Sequence, residues 1–413
     1  MTSTGNYNDQ QINPSHLTES NAIKQGINIF VIYTFIIAAI AMCIILPDKY
    51  LKTSLFYSGI VLSAVMFAAF AQRSKTSFFF NTFMILSFSV LFFTYGFRNF
   101  SAIDDQAYMN IFHNVANNGW FIQFKNTTIE PGYLILNHVV STFTDDYLYM
   151  QLVSSFIPLF LFYYGFSKYR NLISMPTAVF LLCTMLFFQM LSVALVRMFI
   201  AISIVFIAYF YIPKRKPIMY IFLILIASSF HYSALFMMFL VYFAVNKRNL
   251  SKKVTRIFII LLVVCPFIFI MIPHYLVPLL GERYTQYGTI EDITLDIFTF
   301  SNVPPLILLL FFYKRFYGIN KMYFKIFVFI YSISIIISLY GGMASLGRLI
   351  FYPYVAFLLG AAMVSKSLKR TSIKTIYYMI IIFYGFVYVY WTQFSFEHHI
   401  PHLFPYQNLY FAL

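Results

Sequence analysis

Charge is scarce in this chain. Lysine and arginine number 28 and aspartate and glutamate 13 in 413 residues, only 10% of positions. A soluble domain carries about 25%, so an ordinary water-soluble enzyme is excluded. The formal net charge of +15 is then no sign of a nucleic-acid partner. Cysteine is scarcer still. Cys43, Cys183 and Cys265 all lie inside apolar runs, too scattered for a zinc site or a disulfide framework, and they read as small core residues. No internal repeat is visible, so an inverted-repeat transporter gains no support. The polar tail 1–26 reads as disordered and cytoplasmic. The apolar run behind it is long enough to span a bilayer, so an uncleaved anchor is expected in place of a signal peptide.

What the chain does have is apolar length: 61% of its residues are hydrophobic. Runs near the ~20 residues of a spanning helix cover 27–46, 54–71, 78–97, 147–166, 175–191, 195–212, 257–275, 303–313, 323–340, 346–365 and 375–392. Segment 132–143 is too short to cross and reads as re-entrant or interfacial. Segment 218–245 is apolar throughout but has basic clusters at both ends. One crossing would strand a cluster on the wrong side, so a broken hairpin is expected, with Ser228-Ser229-Phe230-His231 at its apex. Non-helical backbone at that depth needs protein or a water-filled cavity around it. The expected fold is an all-α polytopic membrane domain over 27–392, with about 11–14 transmembrane or re-entrant helices. Its long outer loops are 98–131 and 276–301, and 393–413 is an outer tail.

The few charges are sorted. Asp9 and Glu19 lie in the tail; every other carboxylate falls on one set of alternating loops, and 21 of the 28 cations fall on the opposite set. Lysine and arginine gather on cytoplasmic loops, which puts the carboxylates outside, the N-terminus inside and the C-terminus on the periplasmic side. The outer set keeps seven cations, among them Arg98, Arg197, Arg283 and Arg348, and seven of the eight histidines. Arginine binds phosphate in a bidentate fork and holds its charge at any pH. Arginines in place of lysines therefore suggest an anionic ligand such as a lipid diphosphate.

Arg197 sits in a nearly unbroken apolar stretch, Ser192 to Ala201, where an ionisable residue is costly and points to function, with snorkelling to the interface as the bland alternative. Arg348 stands at the outer start of a helix, against its dipole, so something anionic is expected to compensate. Glu282 is a ready partner for Arg283. Glu130, before Pro131-Gly132-Tyr133, has the chemistry of an ordinary helix cap as well as of a catalytic carboxylate. Asp104, Glu130 and His231 are the candidates for activating a hydroxyl. The acidic pairs Asp104–Asp105 and Asp145–Asp146 and the histidines 398, 399 and 402 fit solvated ends better than metal ligands. No metal and no cofactor is called for.

Taken in order, Arg98, Asp104-x-x-x-Tyr108, Glu130-Pro-Gly-Tyr133, Arg197-Met-Phe-Ile-Ala201, Ser229-Phe-His231-Tyr-Ser-Ala234 and Arg348…Tyr352-Pro353 resemble the EpsG/Wzy family of polysaccharide polymerases. The resemblance runs over roughly residues 78–360. It implies a GT-C-like glycosyltransferase of the bacterial inner membrane that joins undecaprenyl-diphosphate-linked oligosaccharide repeat units on the periplasmic face. Its partners would be that lipid-linked substrate, the surrounding membrane lipid and a chain-length regulator protein. It also implies that Arg98, Arg197, Arg283 and Arg348 hold the diphosphate while Asp104, Glu130 or His231 activates the acceptor. Two other readings stand beside it: a flippase or transporter for the same lipid-linked oligosaccharide, and an O-antigen ligase-type transferase. Crowding of ionisable residues toward one face speaks against the transporter.

Overall fold

The computed structural model describes residues 51–99, 104–193, 195–240, 297–338 and 348–394. Among them every element is helical and no strand occurs. Numbered in chain order, the α-helices are α1 (Leu51–Arg73), α2 (Ser77–Gly96), α3 (Asp105–Asn118), α4 (Trp120–Asn126), α5 (Pro131–Ser141), α6 (Tyr147–Tyr169), α7 (Met175–Leu182) and α8 (Phe188–Val193). They continue as α9 (Val196–Tyr209), α10 (Pro217–Phe230), α11 (Ile297–Phe311), α12 (Gly318–Ser338), α13 (Phe351–Ser367) and α14 (Thr371–Phe394). A π-helical turn, Cys183–Phe187, joins α7 to α8, and a 3-10 helix, Tyr232–Leu240, follows α10. The chain is an all-α membrane protein. Four of its described helices, within α1, α2, α6 and α14, are long and apolar enough to cross a bilayer.

The expected segment 195–212 is shorter in the structure. α9 has 14 residues, about 21 Å at 1.5 Å per residue, against a hydrocarbon core of about 30 Å. It needs no contact with lipid. Every residue of α9 but Arg197 is buried, and it packs between α6, α10 and α13. A helix that is apolar all round belongs inside a bundle. The approach of α6 is close enough that a Cβ on Gly165 would run into the Phe206 ring. α13 is nearly as enclosed, whereas α1, α2, α6 and α14 keep exposed apolar side chains such as Leu55, Phe79, Phe160 and Phe383.

Local chemistry sets several ends. Thr76 accepts a hydrogen bond from Phe79 N at 3.3 Å and caps α2; Asp146 accepts from Leu148 N at 2.9 Å and caps α6. Pro131 and Pro217 begin α5 and α10, where the missing N–H costs nothing. The stretch 98–131, expected as a loop, is mostly the helices α3 and α4. Asp105, Tyr108, Phe112 and Val115 fall on one buried face of α3 at helical spacing. Segments 27–46 and 257–275, the tail 1–26 and residues 395–413 lie outside the described residues, as does most of 276–301, whose last residues open α11.

Basic and acidic residues separate along the bundle. One end has no carboxylate among the described residues and is tied by cations on carbonyls: Lys366 Nζ donates to Arg170 O at 2.7 Å, and Arg315 to Ser367 O at 2.9 Å. The other end gathers the C-terminal end of α2, the N-termini of α5 and α9, and the C-terminal end of α10.

Candidate active site

Three helices deliver one side chain each to the acidic end. Glu130 is the N-cap of α5, yet its side chain makes no capping bond. One carboxylate oxygen is paired with Arg197, in the first turn of α9, and the other lies 2.8 Å from Nδ1 of His231. His231 is the C-cap of α10, with extended backbone at φ −155° and ψ 114°. The main-chain N–H of Tyr232 also donates to Glu130 Oε1, at 3.4 Å. Glu130 is therefore a bridging carboxylate and not the ordinary cap that its neighbourhood in the sequence equally fits. The expected break in 218–245 falls at His231, where α10 stops and the 3-10 helix begins.

Gly132 lets the bridge form. A Cβ there would sit 2.7 Å from the main-chain oxygen of Ser229, so α5 and α10 meet backbone to backbone at this point. Any larger residue would push Glu130 away from His231. Glycine is used here for close approach, with no unusual backbone angle required.

The electrostatics are uneven. Glu130 is 4% exposed. Burial pushes its carboxyl up, but the hydrogen bond from His231 and the charge of Arg197 outweigh burial and hold it below the usual carboxylate range. Its place at a helix N-terminus favours the same charged form. Arg197 stands against the dipole of α9 and depends on Glu130 for compensation. Its side chain and that of His231 remain 22% and 20% exposed, so both reach the surface from a buried carboxylate. Arg197 Nε is buried and has no hydrogen-bond partner among the described residues. The Tyr108 ring lies 5.9 Å from the guanidinium carbon, and burial keeps its hydroxyl protonated by pushing its pKa up.

Arg98 is placed otherwise than expected for a diphosphate ligand. It is 1% exposed, bonds Asp105 at 2.6 Å, donates to Tyr95 O at 2.8 Å and lies 4.5 Å from the Tyr95 ring centroid. Gln151 of α6 reinforces the corner by donating to Gly96 O and Arg98 O at 2.7 and 2.8 Å. Arg98 thus clamps α2 to α3 and offers nothing to the surface. Asp104 is half-buried at the N-cap of α3, where its side chain makes no capping bond; the carboxylate that pairs with Arg98 is that of Asp105. Arg283 lies outside the described residues. Arg348 opens a 3-10 turn, Arg348–Ile350, at the start of α13, and its side chain lies outside the description.

Two residues not singled out from the sequence join the group's rim. Ser233 Oγ and Tyr352 OH are 2.9 Å apart, and Tyr209 OH donates to Tyr352 O at 3.2 Å. This links the 3-10 helix after His231 to α13 and α9. The motifs Ser229 to Ala234 and Arg348 to Pro353 contained both, but nothing in either one showed that they meet. No group of three or more metal-ligating side chains occurs among the described residues. An apolar groove of about 770 Å³ lies between α11 and α14, lined by residues such as Pro304, Phe311 and Tyr384. It carries no charge and does not include the Glu130 group.

A buried carboxylate that orients a histidine through Nδ1, beside a partly exposed arginine, suits proton abstraction next to an anionic leaving group. The family model described as EpsG matches residues 81–408. No curated protein and no solved structure matches the chain.

Proposed function

The chain belongs to the EpsG family, and from that membership we propose that it is a polysaccharide polymerase of the bacterial inner membrane. In this reading the lysine-rich end faces the cytoplasm and the acidic end the periplasm, in keeping with the bias of basic residues toward cytoplasmic loops. The substrates are oligosaccharide repeat units on undecaprenyl diphosphate.

The observation that carries the reading is the Glu130 bridge between Arg197 and His231. Glu130 accepts the Nδ1–H of His231, fixing the tautomer and leaving Nε2 to take the proton of an acceptor hydroxyl. The acceptor oxygen bonds to the anomeric carbon of the donor glycan as the bond from that carbon to the diphosphate oxygen breaks. The diphosphate leaves with the electron pair, and Arg197 meets the growing charge. Arg283 and Arg348 complete the anion site in this proposal. Arg98 and Asp105 hold the α2–α3 corner, and Tyr108 on α3 faces Arg197.

The test is a gel of surface glycan from a strain lacking the gene, complemented with wild type, Arg197→Ala or His231→Ala. We expect the wild type to restore a ladder and the variants to leave single repeat units with normal protein abundance. An unchanged ladder in the deletion strain sinks the polymerase reading. Complete loss of attached units, single ones included, replaces it with a ligase.

A further inference from the structure

α4 is the one described helix beside the candidate site that buries nothing. Its sequence is Trp120-Phe121-Ile122-Gln123-Phe124-Lys125-Asn126, and none of these side chains is buried. Phe121 and Ile122 are each 52% exposed and Phe124 39%. Unlike the exposed apolar residues on α1, α2, α6 and α14, these lie outside any membrane-crossing helix. The helix before it ends in exposed polar residues, His113, Asn114, Asn117 and Asn118, so polarity changes abruptly at Gly119. Lys125 extends over the Phe121 ring, 4.6 Å from its centroid.

The same end of the bundle carries other exposed aromatics near helix termini. Phe93 lies within a turn of the end of α2, Phe143 follows α5, and Tyr149 is in the first turn of α6. Aromatic rings with neighbouring lysines collect at the level of lipid headgroups, where one part of the side chain is apolar and the other wet.

We propose that α4 lies in the bilayer interface at the acidic end, its Phe121, Ile122 and Phe124 among the lipid glycerol and upper acyl groups. There it sets the height of the segment that carries Glu130. The link is short and bonded: Thr127 N donates to Gln123 O at 2.9 Å, Thr127 Oγ1 to the same oxygen at 2.8 Å, and Ile129 N to Thr127 Oγ1 at 3.4 Å. The inference rests on the chain's being a membrane protein and not on the polymerase reading.

The test uses full-length protein carrying Trp391→Phe, which leaves Trp120 as the only tryptophan, in phosphatidylcholine vesicles with lipids brominated near the glycerol or near the chain end. We expect Trp120 to lose most of its emission to the shallow bromines and little to the deep ones. Emission lost to aqueous acrylamide but to neither bromolipid overturns the proposal, since the helix is then in water. Strongest loss to the deep bromines overturns it too, and so does protection from every quencher, which means that protein covers the helix. If Trp391→Phe fails to fold, the difference between wild type and Trp120→Phe reads the same quantity. The pair Phe121→Ser and Ile122→Ser removes nothing from the core and should shift Trp120 from bromolipid toward acrylamide quenching.

Discussion

At the lysine-rich end, Lys366 and Arg315 donate to the carbonyls of Arg170 and Ser367, at or near the C-termini of α6 and α13. At the acidic end, Arg98 meets Asp105 and Arg197 meets Glu130. A cation at a helix C-terminus follows the dipole and needs no counter-ion. Arg197 opens a helix and opposes its dipole, so it is tolerable only beside a carboxylate. The lysine-rich end is cheap electrostatics that ties helices together. The acidic end keeps costly charges, and within it Arg98 and Arg197 divide again. Arg98 is sealed inside, whereas Arg197 is partly open.

The largest effect that would break this contrast concerns activity. With purified lipid-linked repeat units, Arg197→Ala or His231→Ala should slow chain extension by about 10²–10⁴-fold, the range for losing an anion-stabilising donor or a general base. Arg197→Lys should recover little of it, because a lysine cannot reproduce the fork. Lys366→Ala should extend chains at the wild-type rate. Equal losses at Arg197 and Lys366 would erase the distinction between the two ends.

The second effect is on stability and separates Arg98 from Arg197. Asp105→Ala strands a buried guanidinium and should cost about 3–5 kcal/mol, read as thermal unfolding in detergent. Arg98→Met combined with Asp105→Leu should restore most of that loss, since a buried pair can be exchanged for apolar packing. A double variant that is stable but inactive would move Arg98 back among the ligand-binding residues.

How much of this was legible depends on the distance over which the information is stored. The break at His231 could be read locally, because a run with basic clusters at both ends cannot cross once. The short helix α5 was legible from its length. The burial of one face of α3 was also available, in the helical spacing of Asp105, Tyr108, Phe112 and Val115, but the polar residues between them make 98–131 resemble a loop. The roles of Glu130 and Arg98 were not legible. Glu130 before Pro131 looks like a cap until its partners, 67 and 101 residues away, are brought beside it. Arg98 ends an apolar run and Arg197 sits inside a nearly unbroken one. Which one is spent inside depends on Asp105 turning inward from the first residue of α3, and Asp104 is an equal candidate until that register is known.

The third effect is geometric. Gly132→Ala places a methyl 2.7 Å from Ser229 O, and forcing such a contact costs about 1–3 kcal/mol. Activity should fall further than stability, because the shift separates Glu130 from His231. Stability loss with unchanged chain extension would detach the bridge from the chemistry.

The smallest effect compares the two ends by pH. Glu130 has a carboxyl held below the ordinary value by His231 and Arg197 against burial. A carboxyl of this kind stabilises the fold fully above its unfolded-chain value, about 4.3, and loses that contribution as pH falls through its lower folded value. The stability gap between wild type and Glu130→Gln should therefore be constant from neutral pH down to the ordinary carboxylate range and narrow only below it. Lys366→Gln removes a partly exposed contact to a carbonyl and should cost no more than about 1 kcal/mol. Its acceptor does not titrate at all, so that small gap should stay flat over the same acid range. A Lys366 gap that narrowed with acid would mean that a carboxylate reaches the lysine-rich end, and the separation of charge along the bundle would then fail at its simplest point.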